Sequence, residues 1–176
     1  MRAGLAVIAA LALCVTPAVA QGKSKAPQQA GALASLEVCA LFAKGIADAD
    51  DQAVEMGWEV TEGDPESLFV ESINLYRHIP GLGYAEGFVL MEDYPDMDFG
   101  YCRIDVYEAE GEADVALIDA LPEWQGEIRN KGAGTYGSWS SADYGGQRLL
   151  LSHEDEYGFV LQLTVIRPKA GEGEAG

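Results

Sequence analysis

Basic residues are scarce: 11 Lys and Arg stand against 29 Asp and Glu, a formal net charge of −18 at pH 7. A surface of that sign repels phosphate backbones and anionic lipid. Nucleic acid is therefore not expected as a partner, whereas basic proteins and cations are compatible ones. The same acidity keeps an exported protein in solution.

Histidine, the usual general base and metal ligand at neutral pH, occurs only as His78 and His153. Ser152, His153, Glu154 and Asp155 are consecutive, but neighbouring side chains on a strand point to opposite faces and there is no G-x-S-x-G elbow, which argues against a triad. There is no C-x-x-C pair to suggest redox chemistry. Gly132, Gly134 and Gly137 in GAGTYG match the dinucleotide spacing G-x-G-x-x-G. That fingerprint requires a strand before it and a helix after it, whereas here a helix and loop precede and a strand follows, so the glycines read as a flexible connection. Two acidic clusters invite calcium, Glu92, Asp93, Asp96 and Asp98 in one and Glu154, Asp155 and Glu156 in the other. Neither has the EF-hand spacing with its closing Glu. No catalytic, cofactor-binding or metal-binding set is assigned, and no cofactor is expected.

Long apolar runs are confined to the start of the chain. Arg2, the stretch Leu5 to Val15 and the A-x-A of Ala18, Val19 and Ala20 form a secretory signal cut before Gln21. The run is roughly half the ~20 residues a bilayer span needs, and Pro17 closes it. Cys14 follows Leu11, Ala12 and Leu13, but Leu13 is too large for the position before an acylated cysteine. Cleavage at Gln21 removes one base, Arg2, and no acid. The remainder is read as free of membrane spans, with a flexible leader over 21–31, one domain over 32–168 and a disordered tail over 169–176. Asn occurs twice and never in an N-x-S/T sequon, and Ala and Gly are plentiful, which fits a bacterial exporter. The expected address is the periplasm or the extracellular space.

Loss of Cys14 leaves an even pair, Cys39 and Cys102, and an oxidising compartment favours joining them. Leu36, Cys39, Ala43 and Ile46 recur at helical spacing; Gly45 and the acids Asp48, Asp50 and Asp51 then mark a bend into a short second helix carrying Ala53 and Met56. Gly57 ends it, and from Trp58 to Glu66 the chain reads as an irregular acidic stretch. Extended runs are expected at Leu68–His78, Gly87–Glu92 and Phe99–Tyr107. In the last of these, Cys102, Ile104 and Val106 alternate against Tyr101, Arg103, Asp105 and Tyr107. A helix is expected over Glu112–Leu121, carrying Val115, Leu117 and Ile118 and stopped by Pro122. After a Gly-rich connection come strands at Ser138–Tyr144, Gln147–His153 and Phe159–Arg167, joined through Gly145 and Gly146 and through the turn Glu154 to Gly158.

The expected fold is α+β: a mainly antiparallel sheet of about six strands with helices packed on one face, in the order α-β-β-β-α-β-β-β. The repeated order suggests duplication, although no residue match between the halves supports it. The Cys39–Cys102 bond would tie the first helix to the third strand. Tyr94, Asp96, Asp98, Tyr101 and Tyr107 form the expected interaction surface, suited to a basic partner, with Tyr84 and Tyr157 as further loop tyrosines. The expected function is an exported, non-enzymatic binding, inhibitor or accessory protein. The alternative is a carboxylate-dependent envelope hydrolase using Glu92, Asp93, Asp96 and Asp98, and a purely structural role in the envelope is a third reading.

Overall fold

Strict alternation of apolar and polar residues sends every second side chain of a strand to one face. Met97–Tyr107 and Gly158–Pro168 follow that rule, burying Cys102, Ile104 and Val106 in the first and Phe159, Leu161, Leu163 and Val165 in the second. In a computed structural model, which describes residues 30–63, 71–142 and 146–169, these two segments pair antiparallel at the centre of one sheet. Residues 1–29 and 170–176, and with them the signal, most of the leader and nearly all of the tail, lie outside the described residues. So do Leu68 at the start of an expected strand and Tyr144 and Gly145.

The elements run α1 (Gly31–Ala43), α2 (Ala49–Glu55), β1 (Glu59–Glu62), β2 (Glu71–Ile79), β3 (Gly83–Asp93), β4 (Met97–Tyr107), α3 (Ala116–Asp119), β5 (Gln125–Lys131), β6 (Gly134–Ser141), β7 (Gln147–Asp155) and β8 (Gly158–Pro168). The fold is α+β with an open antiparallel sheet which, among the described residues, has eight strands, not six, in the order β1-β2-β3-β4-β8-β7-β6-β5. Two strands account for the difference. The first is β1, four residues of the sequence EVTE inside the stretch expected to be irregular; the second is β5, which with Gly132 and Ala133 and the start of β6 occupies the expected glycine-rich connection. Both are edge strands, and β5 half-buries only Ile128, so neither shows the alternation that marks a central strand.

The expected helix over Glu112–Leu121 shrinks to one turn at Ala116–Asp119. Asp114 adopts a positive φ of 59°, which interrupts helical geometry just before it, and Leu117 is exposed. Glu112–Asp114 instead pass beneath the start of α1, where Ala32 N–H donates to Ala113 O.

Each half of the chain is a four-strand meander preceded by helix, and the halves meet where β4 pairs with β8. Val89 pairs with Cys102 in one half, Leu150 pairs with Leu163 in the other, and Cys102 pairs with Leu163 across the seam. Among the described residues each half therefore has four strands where three were expected.

One layer of helix covers one face of the sheet. α1 lies across β4, β8 and β3, and it contacts both α2 and α3. The core between the layers comprises Val38, Cys39 and Phe42 from α1 with Leu75, Val89, Ile104, Leu161 and Leu163 from the sheet. Close approach is possible because β4 carries Gly100, where an added Cβ would sit 2.2 Å from the carbonyl oxygen of Ala43. Cys39 of α1 is bonded to Cys102 of β4, with Cα atoms 5.2 Å apart. At the far end, Trp139 fills the inner face and its indole N–H donates to Asp119 Oδ1 at 3.1 Å, which fixes α3 over β6.

Candidate functional site

The sequence-derived surface residues are separated by the fold. Tyr94 and Asp96 lie in the β3–β4 turn, Asp98 near the start of β4, and Tyr101 and Tyr107 farther along the outer side of β4. Six residues of strand separate Tyr101 from Tyr107, roughly 20 Å. They line a strand but do not enclose a pocket.

The acidic turn is occupied by the chain's own cations. Lys169 Nζ bonds Asp93 Oδ1, donates to Tyr94 O at 2.7 Å and stands 3.4 Å from Asp98 Oδ1, while Arg167 Nε is 3.9 Å from Asp98 Oδ2. Arg167 also donates to Lys44 O, linking the turn to the end of α1. The second acidic cluster is divided by strand geometry. Glu154 turns to the helical side and accepts the Ala113 N–H at 2.7 Å; Asp155 turns outward and accepts the Tyr157 N–H at 2.9 Å; Glu156 is exposed in the turn. Among the described residues, no group of three or more His, Cys, Asp or Glu side chains is placed to hold a metal ion.

Ser152 faces the helical layer and His153 the opposite side, as strand geometry requires. His153 stacks on Tyr136, with ring centroids 4.4 Å apart and planes 15° apart. Its Nε2 lies 3.4 Å from Asp155 Oδ2 but out of line for a hydrogen bond. His78 is exposed on β2, opposite Tyr84.

The glycines of GAGTYG serve the fold. Gly132 takes φ +62° in the β5–β6 turn, and Gly137 leaves room for the Trp139 ring, since a Cβ there would fall 1.9 Å from Trp139 Cη2.

Sequence reasoning missed the sheet's outer face taken as a whole. Tyr84, Phe88, Tyr107, Tyr136, Leu149 and Leu151 all point outward and are between 36% and 67% exposed. Leu90, Phe99, Tyr101, Val160 and Ile166 lie half-buried among them. Cross-strand register makes these neighbours. One row runs Phe88, Arg103, Gln162, Leu151, Ser138; the next, toward β8's C-terminal end, runs Leu90, Tyr101, Thr164, Leu149, Ser140. Among the described residues no helix covers this face. The signal was present as outward apolar residues on β7 (Leu149, Leu151) and β8 (Val160, Ile166), but only the strand order places them beside β4.

Two arginines of this face are paired with carboxylates. Arg103 donates to both oxygens of Asp105, through Nε at 2.8 Å and Nη2 at 2.7 Å, and that bond holds its guanidinium above its ordinary value. Arg129 bonds Glu127, which shifts its guanidinium in the same direction. Two shallow grooves adjoin on β5–β8. One, of about 610 Å³, is lined by Glu127, Arg129, Lys131, Tyr136, Leu151 and His153 among others; the other, of about 690 Å³, by Pro122, Glu123, Gln125, Leu149, Thr164 and Ile166 among others.

Fold and surface together define an α+β protein whose antiparallel sheet carries helices on one side and, on the other, a face on which exposed apolar side chains alternate with polar and charged ones. Comparison with protein-family models, with curated proteins and with solved structures finds no match.

Proposed function

We propose that this is an exported, non-enzymatic binding protein that holds its ligand against the outer face of the sheet. The observation that carries the reading is the concentration of exposed large apolar side chains on that one face in a chain of net charge −18. Six of the exposed large apolar side chains stand on that face, with Leu90, Phe99, Tyr101, Val160 and Ile166 half-buried among them, a grouping that supports a binding surface. The Cys39–Cys102 bond is compatible with an oxidising compartment, and among the described residues no helix is long and apolar enough to cross a membrane. The hydrolase alternative needs two carboxyls converging on a substrate. Asp93 and Asp98 instead meet Lys169, so no observation favours it.

The test is parallel capture from native envelope, without reductant, by the wild type and by a Phe88→Glu/Leu151→Glu variant, with proteins and extractable small molecules both analysed. A component retained by the wild type and lost by the variant is expected. Identical recoveries would count against the outer face.

A further inference from the structure

We infer that the paired grooves on β5–β8 bind a single-chain anionic amphiphile, its head at Arg129 and Lys131 and its chain along Leu151 and Leu149 toward Ile166. This rests on the outer-face reading and names the class of ligand that face takes.

Charge supplies the polarity. In a chain so acidic, most cations on the sheet are already engaged: Arg103 by Asp105, Arg167 by Asp98 and Lys169 by Asp93. Arg129 has one carboxylate, Glu127, whereas Lys131, two residues along the same strand face, meets no carboxylate among the described residues. The rim of the first groove thus carries one more cation than it has partners. Lys131 is exposed, so a carboxylate or phosphate can reach it without rearrangement.

Register supplies the direction. Arg129, Tyr136, His153 and Val160 form one cross-strand row, and Glu127, Ser138, Leu151 and Gln162 the next. Past Leu151 on β7 the outward residues are Leu149 and then Gln147, paired with Thr164 and Ile166 in the second groove. From the His153 row to the Gln147 row is six residues, roughly 20 Å, a length suited to an extended alkyl chain rather than a compact solute. The stacked Tyr136 and His153 rings wall the end nearest the cations. The net charge of the chain opposes docking on an anionic bilayer, but a monomeric ligand at Lys131 is governed by charges within about a Debye length, ~8 Å.

Calorimetric titration of the disulfide-intact protein with dodecanoate and dodecyl phosphate, each below its micellar concentration, tests this, with dodecyltrimethylammonium as the cationic counterpart. Saturable binding of both anions and none of the cation is expected. An Arg129→Glu/Lys131→Glu variant should bind on the order of tenfold or more weakly, and Leu151→Asp should do likewise while keeping a cooperative unfolding transition, since none of the three side chains belongs to the buried core. Absence of anion binding, equal binding of the cation, or wild-type affinity in both variants would overturn the inference. If the anions fail while capture still distinguishes wild type from Phe88→Glu/Leu151→Glu, the ligand class is wrong and the binding face stands.

Discussion

Cys102 is held twice at the middle of the molecule: it pairs with Leu163 in the ladder that joins the two meanders, and its sulfur is bonded to Cys39 of α1. The bond closes a 63-residue separation, worth roughly 4 kcal/mol as an upper value in the loop-entropy description. Reduction should therefore lower the melting temperature by roughly 5 to 15 °C for a domain of this size. Scanning calorimetry with and without reductant, together with a count of free thiols, measures this. An unchanged transition with both thiols titrating would show that the bond contributes nothing.

Gly137 and Gly132 belong to one six-residue motif but should respond differently to alanine. A Cβ on Gly137 meets Trp139 Cη2 at 1.9 Å and Ser152 Oγ at 2.6 Å, both packed in the core, so Gly137→Ala should cost about 2 to 3 kcal/mol through overpacking. Around Gly132 nothing lies within 4 Å, and Gly132→Ala should cost only the positive-φ strain of about 1 kcal/mol. Urea midpoints of the two variants give the order directly. Equal costs would mean that the Trp139 ring gives way to the added methyl group.

Glu154 and Glu156 are close in sequence but play different parts. Glu154 accepts the buried Ala113 N–H, and Glu154→Ala should leave that donor unsatisfied at a cost of about 2 kcal/mol, largely restored in Glu154→Gln. Glu156→Ala, in an exposed turn, should fall within about 0.5 kcal/mol of the parent. Denaturant unfolding of the three variants separates a structural carboxylate from a solvated one.

Much of the fold was legible because the central strands are buried on one side only. Cys102, Ile104 and Val106, and Phe159, Leu161 and Leu163, alternate so regularly that strand, inner face and disulfide partner followed together. Legibility failed at the edges. EVTE in β1 and QGEIRNK in β5 bury almost nothing of their own, and their pairing is set by β2 and β6 rather than by local pattern. The apolar residues Val115, Leu117 and Ile118 mimicked a helical stripe, yet Leu117 is exposed to solvent on the helical side and the backbone at Asp114 breaks the run. The candidate site was the least readable part. Leu149 and Tyr101 are far apart in sequence and become neighbours only because β8 inserts between β4 and β7. Composition pointed instead to the acids of the β3–β4 turn, which Lys169 and Arg167 already hold.

The proposed binding face is tested most directly by hydroxyl-radical footprinting of the protein, alone and loaded from native envelope extract. Exposed apolar residues on the helical side, Val54 and Leu117, serve as internal references for Phe88, Tyr107, Leu149 and Leu151. Loading should reduce oxidation at Leu149 and Leu151 several-fold, with protection extending to Phe88 and Tyr107 only for a ligand that spans the strands, and leave Val54 and Leu117 as they were. Protection at Val54 and Leu117 with none at Phe88, Leu149 and Leu151 would contradict the proposed face.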